Sequence, residues 1–268
     1  MTFSEHNSLR YFQFEHFPKI GLVHGLFTRH GGVSPEPWQS LNLGGTVGDE
    51  RANVIENRRR IFEAFDRPVE TVFDAWQVHS KDVIVTERPR PLDEPHQKAD
   101  AILTNRPDVT LFMRFADCVP ILLYDPVQRA IGIVHAGWMG TVKKIAAEAV
   151  SAMQRAYGSR AADILAGIGP SIGADHYEIR GDVESQVRAA FDGQAGQLLA
   201  NRHGGLYLDL WSANRLTLEA CGVRQIEVAE ICTACAVEDW YSHRGEAGRT
   251  GRFGALIALQ EFEAASDC

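Results

Sequence analysis

Runs of apolar residues separated by polar or glycine-containing segments predict that strands dominate the centre of this chain. Residues 20–27, IGLVHGLF, have the pattern of a buried strand, and the TRHGGVS segment that follows predicts a loop. The same pattern predicts further β-rich runs, the first of them interrupted near His79, over residues 71–87, 99–105, 109–126, 129–138, 163–170, 226–233 and 253–262.

Helical spacing of apolar and charged residues predicts four helices, over residues 51–66, 141–158, 182–191 and 209–223. Gly158 and Gly222 stand where the second and fourth of these should end, because glycine readily adopts the left-handed conformation that closes a helix. Strands crowd the centre and helices follow, which predicts a mixed α/β or α+β domain and not a doubly wound nucleotide fold. The sequence also has no GxGxxG motif and no phosphate-binding P-loop motif.

The composition is that of an ordinary globular protein, with 45% hydrophobic and 23% charged residues in a chain of 268. No linker, repeat or low-complexity tract divides the chain, so we expect residues 1–268 to form a single domain. Apolar stretches fall short of the roughly 20 residues that a membrane helix needs. The N-terminus does not resemble a signal peptide, and we therefore expect a cytoplasmic protein without a membrane partner.

Charge and cysteine content narrow the class of function. The net charge of −8 and the pI near 5.7 argue against a nucleic-acid partner, which would call for clustered Lys and Arg. Five cysteines in a long cytosolic chain do not make a disulfide framework. Small-molecule chemistry is the expectation that remains.

Three residues at or beside the ends of predicted strands are candidates for that chemistry: His79 in QVHS, Cys118 in ADCVP and His135 in VHAGW. One thiolate and two imidazoles suit Zn²⁺, and three protein ligands leave a fourth position at which zinc activates water. Taken singly, a buried cysteine is most often an apolar filler and a strand histidine a hydrogen-bonded core residue.

A second candidate is the C-x-x-C pair Cys232 and Cys235 in ICTAC. As a zinc knuckle it lacks a second pair of ligands nearby, and as a redox motif it lacks the strand–helix context of thioredoxin. We expect a structural role for it.

A series of short sequence motifs is more specific for one protein family than any single residue. They occur in this order between residues 28 and 252: TRHGGVS, SLNLG, QVHS, ADAILTN, ADCVPILLYDP, VHAGWMGT, IGPSIGADHYEI and TGR. Together they resemble the YfiH/YlmD-like family, long labelled multicopper polyphenol oxidase or laccase-like. The resemblance extends over roughly residues 20–258.

This resemblance implies a layered α/β/β/α sandwich with mixed sheets and one zinc ion held at the positions of His79, Cys118 and His135. It further implies phosphorolysis of adenosine, inosine, guanosine and methylthioadenosine, and deamination of adenosine. The partners would then be a purine nucleoside and phosphate, bound by a monomer or homodimer. Some bacterial members of the family are instead linked to editing of peptidoglycan precursors.

Phosphorolysis needs an anion site built from arginine and free N–H groups. Arg29 and Ser34 lie in TRHGGVS, and Arg249 and Arg252 lie in RTGR. Asn42 in SLNLGG is a candidate for hydrogen bonding to the base or sugar. The alternatives are ordinary: glycine pairs and Asn-Leu-Gly segments form turns, and paired arginines usually face solvent.

Asp117 is the candidate proton donor for a leaving amine, and equally a turn cap or a partner that orients a ligand histidine. The chain departs from the family pattern at Met139, where arginine usually follows HAGW, and at Gly245, where a second arginine usually stands. Each change removes a fixed cation with up to five donors. If either arginine binds phosphate in the family, phosphorolysis by this chain should be weak.

Three other classes of function stay open. A cysteine-nucleophile hydrolase would use Cys118 with His135 or His79 as its base. A zinc-stabilised scaffold would bind metal without turnover. Laccase chemistry is disfavoured because 10 histidines without an HxH pair cannot supply a multicopper centre, although adventitious copper binding in vitro would be compatible with the same residues.

Overall fold

The computed structural model describes residues 2–202 and 204–261. Two of the sequence predictions extend outside these residues, namely the domain bounds 1–268 and the end of the last strand at Phe262. The strands are β1 (Thr2–His6), β2 (Leu9–Gln13), β3 (Leu22–Phe27), β4 (Val72–Phe73), β5 (Val83–Val85), β6 (Ala101–Thr104), β7 (Thr110–Phe115), β8 (Val119–Asp125), β9 (Ala130–Ala136), β10 (Leu165–Ile168), β11 (Glu178–Ile179), β12 (Leu199–Arg202), β13 (Gly205–Leu208), β14 (Gln225–Val228) and β15 (Phe253–Leu259). The helices are α1 (Arg51–Glu63), α2 (Trp138–Val142), α3 (Ile145–Tyr157), α4 (Gly181–Ala190), α5 (Ala195–Leu198) and α6 (Leu210–Ala220).

Two mixed six-stranded sheets form the body of the molecule. The first has the order β1-β2-β3-β15-β7-β4 and the second the order β14-β10-β8-β9-β6-β5. The pairs β4–β7, β10–β14 and β5–β6, at the sheet edges, are parallel, and the other pairs are antiparallel. Strands β11, β13 and β12 form a separate antiparallel sheet.

Side-chain alternation along β8 shows how the layers stack. Ile121 and Leu123 belong to a core shared with Met153 of α3, whereas Leu122 and Tyr124 belong to a core shared with the first sheet. Successive strand residues point to opposite faces, so the second sheet lies between helices and the first sheet.

The outer face of the first sheet is covered by α1. Ile61 and Phe62 of this helix share a third core with Phe112 of β7 and Leu256 of β15. The order of layers is therefore helices, second sheet, first sheet, helix, and the predicted α/β/β/α sandwich with mixed sheets is confirmed. No helix in the described ranges is both long enough and apolar enough to cross a bilayer.

Two helix ends lie where the sequence predicts them, and one predicted helix is divided in the structure. Gly158 ends α3 with a φ of 72°, and Gly222, with a φ of 92°, follows the end of α6. The helix predicted over 141–158 is divided, because Lys144 adopts a left-handed φ of 62° between α2 and α3. Non-glycine residues seldom take that conformation, so the sequence pattern does not reveal the break.

The strand predictions need three corrections. The run predicted over 109–126 is two strands, since β7 ends at Phe115 and β8 begins at Val119. The hairpin β1–β2 is not predicted, because its strands alternate polar and apolar residues around a turn at Asn7 and Ser8. The small sheet β11-β13-β12 is also not predicted, since its strands have two to four residues each.

We expect Leu122→Ala to lower the free energy of unfolding by about 2–5 kcal/mol, because it opens a cavity between the two sheets. Leu122 is completely buried, whereas Val127, in the turn after β8, is 65% exposed. Val127→Ala is the control and should change stability by less than about 0.5 kcal/mol. Urea denaturation of both variants measures the difference, and equal midpoints would contradict the layered packing.

Candidate metal centre

His79, Cys118 and His135 converge at one end of the second sheet. His135 is the penultimate residue of β9, and Cys118 directly precedes β8, its antiparallel neighbour. The end of one antiparallel strand lies beside the start of the next, so these two side chains meet. His79 comes from the segment that leads from β4 in the first sheet to β5 in the second.

The three donor atoms are close enough to bind one ion. All lie within 4.8 Å of one another, and the Sγ atom of Cys118 is 3.7 Å from Nε2 of His79. The ring centroids of His79 and His135 are 4.9 Å apart. A thiolate sulfur and an imidazole nitrogen on one tetrahedral zinc ion would be separated by about 3.6 Å. The structure therefore brings together the residues that the sequence singles out.

Asp100 holds two of these three segments in place. Its Oδ1 atom accepts the Nδ1–H of His135 at 2.8 Å, and its carboxylate also accepts the backbone N–H groups of residues 78–80. A carboxylate that fixes one ring nitrogen leaves the other nitrogen free for a metal. Sequence reasoning missed Asp100, although its place before β6 in ADAILTN was the available signal.

Two ligand-bearing turns have left-handed backbone conformations. The φ of His79 is 58° and that of Asp117 is 78°. Such residues usually cost free energy unless surrounding contacts hold them. At His79 the contact is the N–H bond to Asp100, and at Asp117 it is a set of hydrogen bonds to its carboxylate described below.

Gly137 leaves room for the sulfur. A Cβ atom at this position would lie 2.8 Å from Sγ of Cys118 and 2.9 Å from Cδ2 of His79. Glycine is therefore required here by the close approach of the two side chains.

The charges at the centre support one another. Burial alone would raise the pKa of the Cys118 thiol, but His135 and His79 outweigh it and lower the pKa to about 6. Burial would lower the pKa of His135, but Cys118 and Asp100 raise it to about 9. Burial would also raise the pKa of Asp100, but its hydrogen bonds to His135 and the Ser80 N–H lower it to about 2. Cys118 and His135 thus each favour the charged form of the other, and a metal cation would compete with the proton on the imidazole.

The donor set distinguishes between classes of metal. Magnesium and calcium take oxygen ligands, whereas a thiolate and two imidazoles are typical of zinc and related transition metals. Three protein ligands match the number in catalytic zinc sites, which keep one position open, whereas structural sites use four.

The carboxylate of Asp117 lies beside this centre and is fully engaged. Its Oδ1 accepts the hydroxyl groups of Thr233 and Ser242 at 2.8 and 2.7 Å, and its Oδ2 accepts the backbone N–H of Arg244 at 2.6 Å. These bonds attach the segment after β14 to the Cys118 turn.

Asn42 and Ser34 belong to a buried network that reaches Arg252. Both side chains donate to Oδ2 of Asp49, and Oδ1 of Asn42 accepts the backbone N–H of Arg252 at 2.9 Å. Nη1 of Arg252 donates to the backbone carbonyls of Thr250 and Gly251. Burial lowers the pKa of this guanidinium, whereas the charges of Cys118 and Asp117 raise it.

Arg29 and Arg249 differ from Arg252 in their surroundings. The guanidinium of Arg29 donates to the carbonyls of Gln39 and Val237 and to Glu246, and it stacks over a tyrosine ring. Arg249 is exposed on the surface. Neither observation tests a phosphate-binding role, which stays a prediction for both.

The two departures from the family pattern also have places in the structure. Met139 is in α2, two residues after Gly137, and is half-buried. Gly245 is exposed, and its N–H donates to Ser242, whose hydroxyl bonds Asp117. Both positions are thus close in sequence to groups that border the centre.

Two further groups near the centre escaped sequence reasoning. Lys143 donates from Nζ to the backbone carbonyl of His79 at 3.2 Å. The ring of Tyr177 lies 5.3 Å from the guanidinium of Arg244, and burial together with the nearby Cys118 charge raises the pKa of this phenol. Lys143 belongs to no motif, and Tyr177 lies in the IGPSIGADHYEI motif, whose sequence does not show that its ring approaches the centre.

Comparisons with known proteins agree with this geometry. The family model described as "Multi-copper polyphenol oxidoreductase laccase" matches residues 23–260. The chain is 39% identical over 250 residues to the Bacillus subtilis protein named purine nucleoside phosphorylase YlmD, covering 90% of this chain and 89% of that protein. It is 39% identical over 246 residues to a Deinococcus radiodurans purine nucleoside phosphorylase, covering 92% of each.

A solved structure shows the same architecture. The crystal structure of YlmD from Geobacillus stearothermophilus superposes with a TM-score of 0.90 at 36% identity, covering 96% of this chain and 98% of that one.

We expect Asp100→Asn to weaken binding of added Zn²⁺ by about 10- to 100-fold, since it removes the charge that orients His135. Asp125→Asn is a matched control, because Asp125 is equally buried but caps a turn at the far end of β8. Competition with a chromophoric chelator measures both affinities. Equal affinities in two folded variants would contradict the role assigned to Asp100.

We expect Gly137→Ala to displace the sulfur of Cys118, lowering zinc affinity and costing about 1–3 kcal/mol of stability through overpacking. Gly196→Ala is the control, because no atom lies within 4 Å of a Cβ at that helical position. The same competition assay and thermal unfolding report the two effects. Full zinc affinity in Gly137→Ala would show that this approach is not needed.

Proposed function

The chain belongs to the family described as multi-copper polyphenol oxidoreductase laccase, and from this premise we propose that it is a zinc-dependent purine nucleoside phosphorylase. Its relatives at 39% identity over nine-tenths of the chain have that name. The observation that carries the proposal is the centre itself, a partly buried Cys/His/His cluster whose three donor atoms lie within 4.8 Å of one another.

Phosphorolysis exchanges one bond at C1′ of the ribose for another. A phosphate oxygen forms a bond to C1′ while the bond from C1′ to the purine nitrogen breaks, and the base leaves with the electron pair and takes up a proton. The protein must therefore bind phosphate, exclude water as a competing nucleophile and stabilise positive charge on the sugar. A bound Zn²⁺, held by His79, Cys118 and His135, would supply Lewis-acid chemistry at its open position.

We assign the phosphate to Arg252. Its guanidinium is partly desolvated, its charge is favoured by Cys118 and Asp117, and arginine binds phosphate through parallel N–H bonds. The network of Ser34, Asp49 and Asn42 fixes the backbone of Arg252. Ser34 and Asn42, which the sequence predicts as substrate residues, would therefore act by positioning the cation. Arg249, exposed nearby in sequence, extends the same site as its second cation, whereas Arg29 ties the 28–41 loop to the 237–246 segment.

The absence of arginine at Met139 and Gly245 leaves fewer fixed cations at this site than the family pattern has. We therefore propose that Arg252 carries a larger share of phosphate binding in this chain. The substrates would be adenosine, inosine, guanosine and methylthioadenosine.

Deamination of adenosine is the second activity that we propose for this centre. It needs a proton donor for the leaving amine, and Asp117 was the predicted candidate. Three hydrogen bonds already converge on its carboxylate, so we assign Asp117 to positioning the Cys118 turn. The proton that the attacking water releases would then pass to the leaving amine, which departs as ammonia.

The test is a chromatographic assay of adenosine and inosine with and without phosphate. Base and ribose 1-phosphate should form only with phosphate, whereas inosine formed from adenosine without phosphate reports deamination. Arg252→Gln should raise the KM for phosphate by about 10- to 100-fold, the worth of a hydrogen bond to a charged group. Arg215→Gln is the control, since Arg215 is 53% exposed and pairs with Glu219 on α6.

The same assay separates the rival classes. Phosphorolysis should stop when the protein is stripped by a chelator and should return with Zn²⁺. Hydrolysis that survives chelation but is lost in Cys118→Ser would replace this proposal with a cysteine-nucleophile hydrolase. Bound zinc without turnover of any nucleoside would favour a scaffold or a cell-wall precursor as the substrate.

A further inference from the structure

A second cluster of metal-binding side chains lies at the same end of the second sheet. Asp175 and His176 follow β10, and Cys232 and Cys235 follow β14. Strands β10 and β14 are parallel neighbours, and the pairing continues beyond them through a parallel bridge between Ser171 and Cys232. The segments that leave two parallel neighbours emerge at the same edge of a sheet, which brings these four residues together.

The distances within the cluster resemble those around one tetrahedral ion. The Nδ1 atom of His176 is 3.7 Å from Sγ of Cys232 and 3.5 Å from Sγ of Cys235. The Oδ2 atom of Asp175 is 3.4 Å from Sγ of Cys235 and 3.1 Å from Nδ1 of His176. Ligands on a tetrahedral zinc ion would be about 3.6 Å apart for sulfur with nitrogen or oxygen, and about 3.3 Å apart for nitrogen with oxygen.

The backbone around the cluster supports a charged sulfur. The N–H of Gly173 donates to Sγ of Cys232 at 3.2 Å, and hydrogen bonds to ligand atoms are typical of metal sites. A Cβ atom at position 173 would lie 2.6 Å from Oδ1 of Asp175 and 3.1 Å from Cβ of Cys232. The cluster therefore needs glycine here to close.

Access from solvent is open. Cys235 is exposed and Cys232 half-buried, and both line a surface hollow of about 470 Å³ together with Asp175, Trp211 and Glu230. An ion can therefore reach the cluster without unfolding the protein.

We propose that Asp175, His176, Cys232 and Cys235 bind a second zinc ion. The site has four protein ligands, the number of closed structural sites, and two of its ligands have the C-x-x-C spacing typical of them. The sequence alone left this pair without partners, and the structure supplies the partners from the loop after β10. The second zinc is therefore a structural ion, distinct from the three-ligand centre at Cys118.

Such an ion would hold the loops after β10 and β14 in place beside the first centre. Both segments that it joins already contact Asp117: Ile172 donates from its backbone to the Asp117 carbonyl at 3.0 Å, and Thr233 donates from its hydroxyl to the carboxylate at 2.8 Å. Asp117 adjoins Cys118 in sequence. The second ion would hold these two loops together next to the first site without taking part in its chemistry.

The experiment is the zinc content of the untagged full-length protein, purified with a reducing agent and measured by elemental mass spectrometry. The wild type should contain about two zinc ions per chain, and Cys235→Ser and Cys118→Ser should each contain about one. Cys221→Ser is the matched control and should keep both, because Cys221 is a half-buried free cysteine at the end of α6.

Two further measurements keep the result independent of folding and of nucleoside turnover. Asp175→Asn changes a side chain that is 48% exposed, so it should fold normally while releasing one of the two ions more readily to a chelator. The wild type with cobalt in place of zinc should show thiolate charge-transfer absorption from both sites. Cys235→Ser should reduce the contribution of the second site, and Cys118→Ser should remove that of the first. Thermal unfolding of Cys235→Ser should occur at a lower temperature than that of Cys221→Ser.

Other outcomes would overturn the proposal. One zinc per chain in the wild type, unchanged in Cys235→Ser and lost in Cys118→Ser, would leave only the first site. A disulfide between Cys232 and Cys235, found by mass spectrometry of protein purified without reductant and retained after zinc is offered to the reduced protein, would identify a redox pair instead.

Discussion

The buried carboxylate of Asp100 is the group on which the geometry of the candidate metal centre depends. Asp100 directly precedes β6. Its carboxylate accepts one hydrogen bond from Nδ1 of His135 on β9 and others from the backbone N–H groups of the loop that carries His79. A buried carboxylate without partners is strongly disfavoured, so three segments that are distant in sequence are held together to satisfy it. The orientation of one ligand ring and the backbone of another ligand thus follow from a single side chain.

The topology of the second sheet explains why both candidate metal-binding clusters lie at the same end of its strands. The antiparallel pairing places the starts of β6 and β8 beside the ends of β9 and β10, and β14 runs parallel to β10. The segments that enter or leave the sheet at this end, together with the last residues of β9, can present ligands there. The three-donor centre and the Cys/His/Asp cluster are consequences of that arrangement, and Asp117 connects them.

Parts of the fold follow from local pattern. The apolar run of β8 predicts a buried strand, the amphipathic spacing of α3 predicts its buried face, and Gly158 marks a helix end because its conformation is costly for other residues. The breaks at Asp117 and Lys144 do not follow, since non-glycine residues with positive φ are set by their tertiary contacts. The hairpin β1–β2 likewise has too few consecutive apolar residues to be recognised.

The sequence by itself identified the mixed α/β class, the family and the three candidate ligands His79, Cys118 and His135, because apolar periodicity and sequence motifs are local properties, and the resemblance to the family implied the layers. Only the tertiary structure decided what surrounds those ligands. Strand pairing brings Asp100 to His135. Asn42 accepts a hydrogen bond from the backbone of Arg252, which is distant in sequence. The C-x-x-C pair is joined by Asp175 and His176 from the loop after the neighbouring strand. Contacts between residues far apart in sequence depend on strand order and register, and the spacing of residues along the chain predicts neither.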